Sequence, residues 1–161
     1  MRSDGSQLRN LTNNLANDFA PTWFSVSGFF GSEEWIAFTS TRDGNQEIYK
    51  VRPDGTGLTN ITNNPANDHS PSGFPNAPVL AFVSERDGNP EIYTMSPNGV
   101  GATNITASPG QDLDPSMGQN GSWIVFATDR EGNLEIYVVR TQGGTAYNLT
   151  RNTGQDRDPD W

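Results

Sequence analysis

The sequence places an acid, a base and a hydroxyl side by side at Asp68-His69-Ser70, and His69 is the chain's single histidine. A catalytic relay needs side chains that reach one another through space, which three adjacent residues cannot do. The Gly-x-Ser-x-Gly turn that exposes a nucleophilic serine is also absent from the sequence. We therefore predict that His69 is a variable loop side chain, at most a ligand contact, and that the chain is not an enzyme.

Charged side chains recur at matching places along the chain. Four aspartates are each followed three residues later by proline, namely Asp18, Asp68, Asp112 and Asp156, and three arginines recur as Arg42, Arg86 and Arg130. One interpretation is a charged ring that holds a ligand or a peptide. The other is that aspartate and arginine pair and cap loop N–H groups, which repetition in every unit favours. The candidate ligand-binding residues are Asp68, His69, Arg86, Asp112, Asp114 and Arg130.

Closely spaced carboxylates are the remaining candidates for a metal site. Asp112-x-Asp114 and Asp156-x-Asp158-x-Asp160 offer the hard oxygen ligands that Ca²⁺ prefers. Neither segment matches the twelve-residue calcium loop, and the chain has no cysteine for a thiolate site or a disulfide. We predict no metal and no cofactor.

Charge and hydropathy limit the partners. The formal net charge is −9, which argues against nucleic acid and anionic membrane surfaces because both are polyanions. No window approaches the roughly 20 apolar residues of a spanning helix, so we expect no membrane insertion. Residues 1–5 lack the apolar core of a signal peptide. The expectation is a cytosolic protein or one whose leader has been removed.

The elements that position these residues follow from an internal repeat. Asp43-Gly44-Asn45-Gln46-Glu47-Ile48-Tyr49 returns 44 residues later from Asp87 and, with Glu131 in the first place, after 44 more. Asn10-Leu11-Thr12 recurs from Asn60, Asn104 and Asn148, at steps of 50, 44 and 44. Six extra residues between Trp23 and Trp35 account for the step of 50. A period of this length is typical of stacked β or helical units.

Each unit contains four short strand candidates, A to D. In the second unit they are 71–74, 79–83, 91–95 and 101–106, rich in β-branched and aromatic residues and bounded by Gly, Pro, Asn and Asp. The Arg-Asp-Gly-Asn between the second and third suits a tight hairpin. The Pro-Asp-Gly or Pro-Asn-Gly that follows the third suits a turn with glycine in the left-handed region. No segment has helical periodicity, so the predicted class is all-β.

The run Trp35 to Tyr49, followed by Pro-Asp-Gly and Asn-Ile-Thr, resembles the WD40-like PD40 repeat of TolB-like β-propellers over essentially the whole chain. The family often has Trp-Ser-Pro-Asp-Gly between the first two strands, and the corresponding loops of this chain have a different sequence. The resemblance implies a β-propeller of four-stranded blades and favours a periplasmic or extracellular location. It implies a binding or assembly module, most simply for protein. The alternatives are a propeller piece of a larger hydrolase or polysaccharide lyase, or an engineered or truncated repeat fragment.

A propeller divides the chain into one repeat domain, 1–161. Residues 1–17 form a D strand and loop, 18–67, 68–111 and 112–155 form blades, and 156–161 begin another A strand. In this arrangement the candidate charged residues gather at one mouth of the channel. The repeated tyrosines, Trp23 and Trp161 are predicted core residues, and the four Asn-x-Thr sequons are explained by strand position rather than glycosylation.

Three blades leave two open apolar faces, and natural β-proteins avoid such faces because they promote association. We therefore expect closure by more protein. Closure is expected either by another copy of this chain, most simply in a dimer, or by the rest of a longer parent, and the expected partner is the chain itself or another protein.

Overall fold

The computed structural model describes residues 8–28, 31–118 and 120–161, and its regular structure consists only of β-strands. Twelve strands follow one another along the chain: β1 Asp18–Gly28, β2 Gly31–Ser40, β3 Glu47–Val51, β4 Thr59–Asn60, β5 Asp68–Ser72, β6 Leu80–Ser84, β7 Glu91–Met95, β8 Thr103–Asn104, β9 Asp112–Met117, β10 Trp123–Thr128, β11 Glu135–Arg140 and β12 Tyr147–Asn148. Among the described residues there is no helix that is able to cross a membrane.

The strands form three antiparallel sheets of four, in the orders β1-β2-β3-β4, β5-β6-β7-β8 and β9-β10-β11-β12. We call these sheets blades 1, 2 and 3. The tight hairpin between the second and third strands depends on glycine: Gly44 has φ 100°, and its N–H donates to the carbonyl of Thr41 at 3.2 Å. An L-residue with a Cβ rarely adopts this conformation. The predicted fold class is confirmed.

The core lies between blades, because each sheet is apolar on both faces. One face of blade 2 packs against blade 1, where Leu80, Phe82 and Tyr93 contact Trp35 and Ile48. Its other face packs against blade 3, in a cluster formed by Ala81, Val83, Ile92, Ile105, Met117, Ile124, Phe126, Tyr137 and Val139. The predicted placement of the repeated tyrosines in the core is confirmed: Tyr49, Tyr93 and Tyr137 are all buried.

The strand bounds differ from the sequence expectation at both ends of a blade. The A strand of blade 2 begins at Asp68 rather than Pro71, because Ser70 adopts φ 51° and the register shifts between His69 and Ser72. The D strands are only two residues long. Asn104 ends its strand, because its side-chain Oδ1 accepts the N–H groups of Thr106 and Ala107 and turns the backbone.

The D strand predicted within residues 1–17 and the A strand predicted from 156 are not seen in the described chain: residues 8–17 and 156–161 have no strand assignment, and residues 1–7 lie outside the described residues. A strand needs a hydrogen-bonded neighbour, and these segments have no adjacent C or B strand within the described chain.

Two predicted core residues, Trp23 and Trp161, are instead exposed, at 55% and 52%. Trp23 lies on the outer side of blade 1 and Trp161 beyond blade 3, where no fourth sheet covers them. Their prediction as core was wrong because it assumed a neighbouring blade on each side.

The six extra residues lengthen the first hairpin of blade 1. β1 and β2 pair without interruption from Thr22↔Ala37 to Gly28↔Gly31. This ribbon is tied to blade 2 through Asn76, whose Oδ1 accepts the hydroxyls of Ser27 and Ser32 at 2.9 and 3.2 Å. The insertion therefore enlarges the contact between blades 1 and 2.

Candidate functional site

Three of the four aspartates in the predicted ring form ion pairs, whereas Asp156 accepts from the side-chain amide of Asn152 at 2.6 Å. In each blade the aspartate that begins the A strand accepts from an arginine after the B strand, at 3.1 Å for Asp18–Arg42, 2.7 Å for Asp68–Arg86 and 3.0 Å for Asp112–Arg130. The side chains of Asp68 and Asp112 are fully buried. Oδ1 of Asp68 has no partner among the described residues. These carboxylates and guanidinium groups therefore neutralise one another inside the blade.

Each of these arginines also lies over the repeated tyrosine of its blade. The guanidinium carbons of Arg42 and Arg86 are 4.4 and 4.9 Å from the ring centroids of Tyr49 and Tyr93. The hydroxyl of Tyr49 donates to Asp43, and burial together with this acceptor's bond and charge raises the pKa of Tyr49 to about 12. The Tyr49 hydroxyl therefore keeps its proton at neutral pH and can donate it in the hydrogen bond to Asp43.

Blade 3 departs from this pattern at one place. The acid that accepts from Tyr49 and Tyr93 is an aspartate, but the equivalent residue for Tyr137 is Glu131. Glu131 accepts from Asn148 at 3.2 Å, while the buried hydroxyl of Tyr137 has no hydrogen-bond partner within the described chain. One added methylene therefore breaks a bond that the other two blades make.

The last two candidates, His69 in β5 and Asp114 in β9, lie beside the ion pairs and are half-buried. The prediction of His69 as a loop side chain was wrong, because His69 pairs with Val83 of β6. Nδ1 of His69 is 3.0 Å from the hydroxyl of Ser70, and burial lowers the pKa of His69. Burial and the charge of Asp158 raise the pKa of Asp114. Within the described ranges no three histidine, cysteine, aspartate or glutamate side chains are grouped to hold a metal ion. A ligand role for the six predicted residues stays a prediction.

The outer face of blade 1, one of the two open apolar faces that the sequence predicts, contains a groove whose lining the sequence analysis did not name. The groove has a volume of about 320 Å³. We call it the blade 1 groove, and it is lined by Leu11, Thr12, Asp18, Phe19, Pro21, Trp23, Ile36, Phe38 and Val51. The signal was the alternation of Ile36 and Phe38 in β2, which places both on the face that no other sheet covers.

A second aromatic site lies beyond blade 3. The indole N–H of Trp161 donates to the carbonyl of Ser116 at 3.0 Å, and the ring lies against Gly118. A Cβ at position 118 would lie 3.0 Å from the indole, so this approach depends on glycine. A cavity of about 270 Å³ separates Trp161 from Trp123.

Comparison with known proteins places this fold in a family. The TolB beta propeller domain family, PD40, matches residues 26–129. A putative TolB from Agrobacterium tumefaciens has a similar structure, with a TM-score of 0.69 at 20% identity over 86% of this chain and 50% of that one.

Two further structures are similar in fold. A puromycin-hydrolyzing peptidase of Mycobacterium tuberculosis has a TM-score of 0.62 at 17% identity, over 89% of this chain and 22% of that one. A chain of a nidogen/laminin complex has a TM-score of 0.60 at 11% identity, over 83% of this chain and 49% of that one.

No curated protein matches the sequence. The chain spans half the length of the putative TolB. It matches the family over most of its three blades and has their four-stranded sheets. The chain belongs to the TolB β-propeller (PD40) family.

Proposed function

We propose that this chain is a non-catalytic binding or assembly module whose partner is protein, either a second copy of the chain or another polypeptide. The observation that carries the proposal is the blade 1 groove, which lies on an apolar face that neither of the other two described sheets covers. Phe38 and Val51 are buried at the floor of this groove, and Phe19 and Trp23, which also line it, are exposed at 41% and 55%. Exposed apolar side chains that line a groove favour an interaction site.

The composition of this face supports protein as the partner. Ile36, Phe38 and Val51 stand at the positions that Leu80, Phe82 and Met95 occupy in blade 2. The three residues of blade 2 are fully buried against blade 1. The face of blade 1 therefore has the side chains of an inter-blade core without the blade that completes it.

The comparisons support the same reading at the level of the fold. A chain of similar fold takes part in a nidogen/laminin complex, so this architecture occurs in a protein that binds protein. The family resemblance favours a periplasmic or extracellular location, which stays part of the proposal.

A second candidate function is suggested by the structural likeness to the puromycin-hydrolyzing peptidase, of which the chain covers 22%. In that case the three blades are part of a larger hydrolase whose propeller supports a catalytic domain. A hydrolase domain encoded in the same gene would favour this candidate over a free-standing binding module.

The groove is tested by light scattering coupled to size exclusion, together with binding of a hydrophobic dye. We expect the wild-type chain to elute as a species heavier than its 17.5 kDa monomer, most simply a dimer. Ile36→Glu, which puts a charge in the groove, should lower both the mass and the dye binding. Val100→Glu is the matched control, because Val100 is 71% exposed in a loop away from the groove.

A monodisperse 17.5 kDa species whose dye binding is unchanged by Ile36→Glu would contradict the proposal. A monomer that binds dye and loses it in this variant would leave the groove as a site for another protein.

A further inference from the structure

The single lysine of the sequence, Lys50, reaches from blade 1 to blade 2. It lies in β3 and is 8% exposed, and its ammonium group contacts the turn that follows β7. Nζ donates to the carbonyl of Pro97 at 2.9 Å and to Oδ1 of Asn98 at 3.0 Å. Because an ammonium group can only donate, the oxygen of the Asn98 amide and not its nitrogen faces the charge.

An aromatic ring also holds this ammonium group in place. Nζ of Lys50 lies 4.6 Å from the ring centroid of Trp35, and the guanidinium carbon of Arg52 lies 4.3 Å from it. Arg52 pairs with Glu33, whereas no carboxylate of the described residues forms an ion pair with Lys50. Burial and the charge of Arg52 lower the pKa of Lys50. Lys50 is thus a buried cation whose two acceptors are both uncharged.

The contact between Lys50 and Asn98 is not repeated along the chain. The residue of blade 2 that corresponds to Lys50 is Thr94, whose hydroxyl donates to the carbonyl of Thr141 in blade 3 at 3.3 Å. The residue of blade 1 that corresponds to Asn98 is Asp54. A charged donor therefore meets an asparagine amide at one junction between blades, and the general packing of the repeat does not require it.

Asn98 is followed by Gly99, and this step can convert asparagine to aspartate. Glycine has no Cβ to hinder its nitrogen, which loses its proton to solvent and forms a bond to Cγ of Asn98. The carbonyl electron pair moves to Oδ1 and returns as Nδ2 takes a proton and leaves as ammonia. Water then opens the resulting succinimide at Cγ to give aspartate, or at the backbone carbonyl to give isoaspartate. The balance is asparagine plus water to aspartate plus ammonia.

The position of Lys50 favours this reaction. Negative charge develops on Oδ1 of Asn98 as the bond to Cγ forms, and the ammonium group already lies 3.0 Å from that atom. A positive donor directed at a developing oxyanion lowers the barrier to its formation. When the ring opens at Cγ, the new carboxylate lies beside Lys50 and supplies the charged acceptor that this cation lacks.

We propose that Asn98 is a site of spontaneous deamidation, that Lys50 promotes the reaction through its bond to Oδ1, and that the aspartate formed pairs with Lys50. The substrate is the chain itself and the co-reactant is water. The reaction replaces a contact between a charge and an amide by an ion pair between blades 1 and 2. This inference is independent of the proposed function.

A second Asn-Gly step, at Asn120, provides a control within the same molecule. Gly99 and Gly121 have φ 83° and 65°, and the N–H of each donates to the carbonyl three residues before it, at 2.9 and 2.8 Å. Asn98 and Asn120 are both exposed. Oδ1 of Asn120 accepts the backbone N–H of Ser122 at 3.0 Å. The two steps therefore share a turn geometry and differ in the charge of the donor at Oδ1.

The first test incubates the wild-type chain in mildly alkaline buffer and follows both asparagines by peptide mapping with tandem mass spectrometry. Asn98 should deamidate about tenfold faster than Asn120, because a hydrogen bond from a charged donor is stronger than one from a neutral donor. Equal rates, or a slower reaction at Asn98, would overturn the proposal, since the ammonium group would then only immobilise the amide.

Substitution of Lys50 tests the role of its charge. Lys50→Met should lower the rate at Asn98 about tenfold relative to the rate at Asn120 in the same sample. A turn that merely loosens would react faster, so a destabilised variant does not imitate this result. Lys50→Arg keeps a positive donor and should retain the faster reaction at Asn98. An unchanged or raised ratio of the two rates in Lys50→Met, or a lost preference in Lys50→Arg, would contradict promotion by the charge.

The ion pair of the product is tested separately by Asn98→Asp, which supplies the carboxylate without the reaction. This change should raise the melting temperature of the wild-type chain and should not raise that of Lys50→Met, since the coupling requires both charges. Asn120→Asp is the matched control, because it adds the same charge to the other turn, and it should give no increase. The same effect of Asn98→Asp in both backgrounds would show that the aspartate does not pair with Lys50 and would overturn this part of the proposal.

Discussion

Nη2 of Arg130 lies 3.0 Å from both carboxylate oxygens of Asp112, whose side chain is fully buried. The pair joins the start of β9 to the end of β10, and it recurs in the other blades. Such an arginine offsets the cost of burying the aspartate carboxylate, and the ion pair as a whole adds little net free energy of folding.

Arg130→Ala should therefore lower the free energy of unfolding by about 3–5 kcal/mol, because it leaves the Asp112 carboxylate buried and unpaired. Glu33→Gln is the control: Glu33 and Arg52 pair at 3.3 Å with both side chains largely exposed, and such pairs contribute at most about 1 kcal/mol. Denaturant midpoints measure both, and similar losses would show that Asp112 reaches water.

Tyr93 and His69 test the division between the inter-blade core and the strand residues outside it. Tyr93 is 4% exposed between blades, so Tyr93→Ala should cost about 3–5 kcal/mol for emptying a large aromatic site. His69→Ala should change the free energy of unfolding by about 0.5 kcal/mol or less at pH 7, because this half-buried strand side chain lies outside the inter-blade clusters. Urea unfolding measures the loss of free energy of unfolding in each variant. Equal losses for the two substitutions would show that this division is wrong.

His69 also predicts a pH dependence. Burial lowers its pKa from 6.5 in the folded chain, so the unfolded chain binds the proton more readily. The contribution of His69 to stability is complete above pH 6.5 and is lost as the pH falls toward the folded pKa. The raised pKa of Asp114 acts in the opposite direction. A comparison with His69→Leu isolates the effect of the histidine. The free energy of unfolding of the wild type should fall relative to that of this variant between pH 7 and 5. Parallel curves of stability against pH would contradict the burial of His69.

Tyr137 and Glu131 predict a stabilising change. Glu131→Asp recreates the acid that accepts from Tyr49 and Tyr93, and should raise the free energy of unfolding by about 1 kcal/mol as the buried hydroxyl gains a partner. The reverse change in the middle blade, Asp87→Glu, should cost a similar amount. Thermal melts of both variants check the pair, and a destabilising Glu131→Asp would show that the Tyr137 hydroxyl is already satisfied.

The sequence predicts the repeat, the hairpins and the buried tyrosines, because each depends on local turn chemistry and alternating apolar residues. It does not predict that the A strand begins at Asp68, since that depends on a register shift at Ser70. It also does not predict that Asn104 ends a strand, because a side-chain bond competes there with the sheet ladder. Pairing of Asp112 with Arg130 follows from their repetition, whereas the exposure of Trp23 depends on what lies beyond blade 1.

Blade 2 is the only one of the three described sheets that packs against another described sheet on both faces. In a stacked array, local opening proceeds from units with one neighbour toward those with two. The amide protons of β6 and β7 should therefore exchange with deuterated solvent most slowly, and those of β3 and β11 faster. Residues 80–95 are thus expected to open last, while blades 1 and 3 open independently of each other.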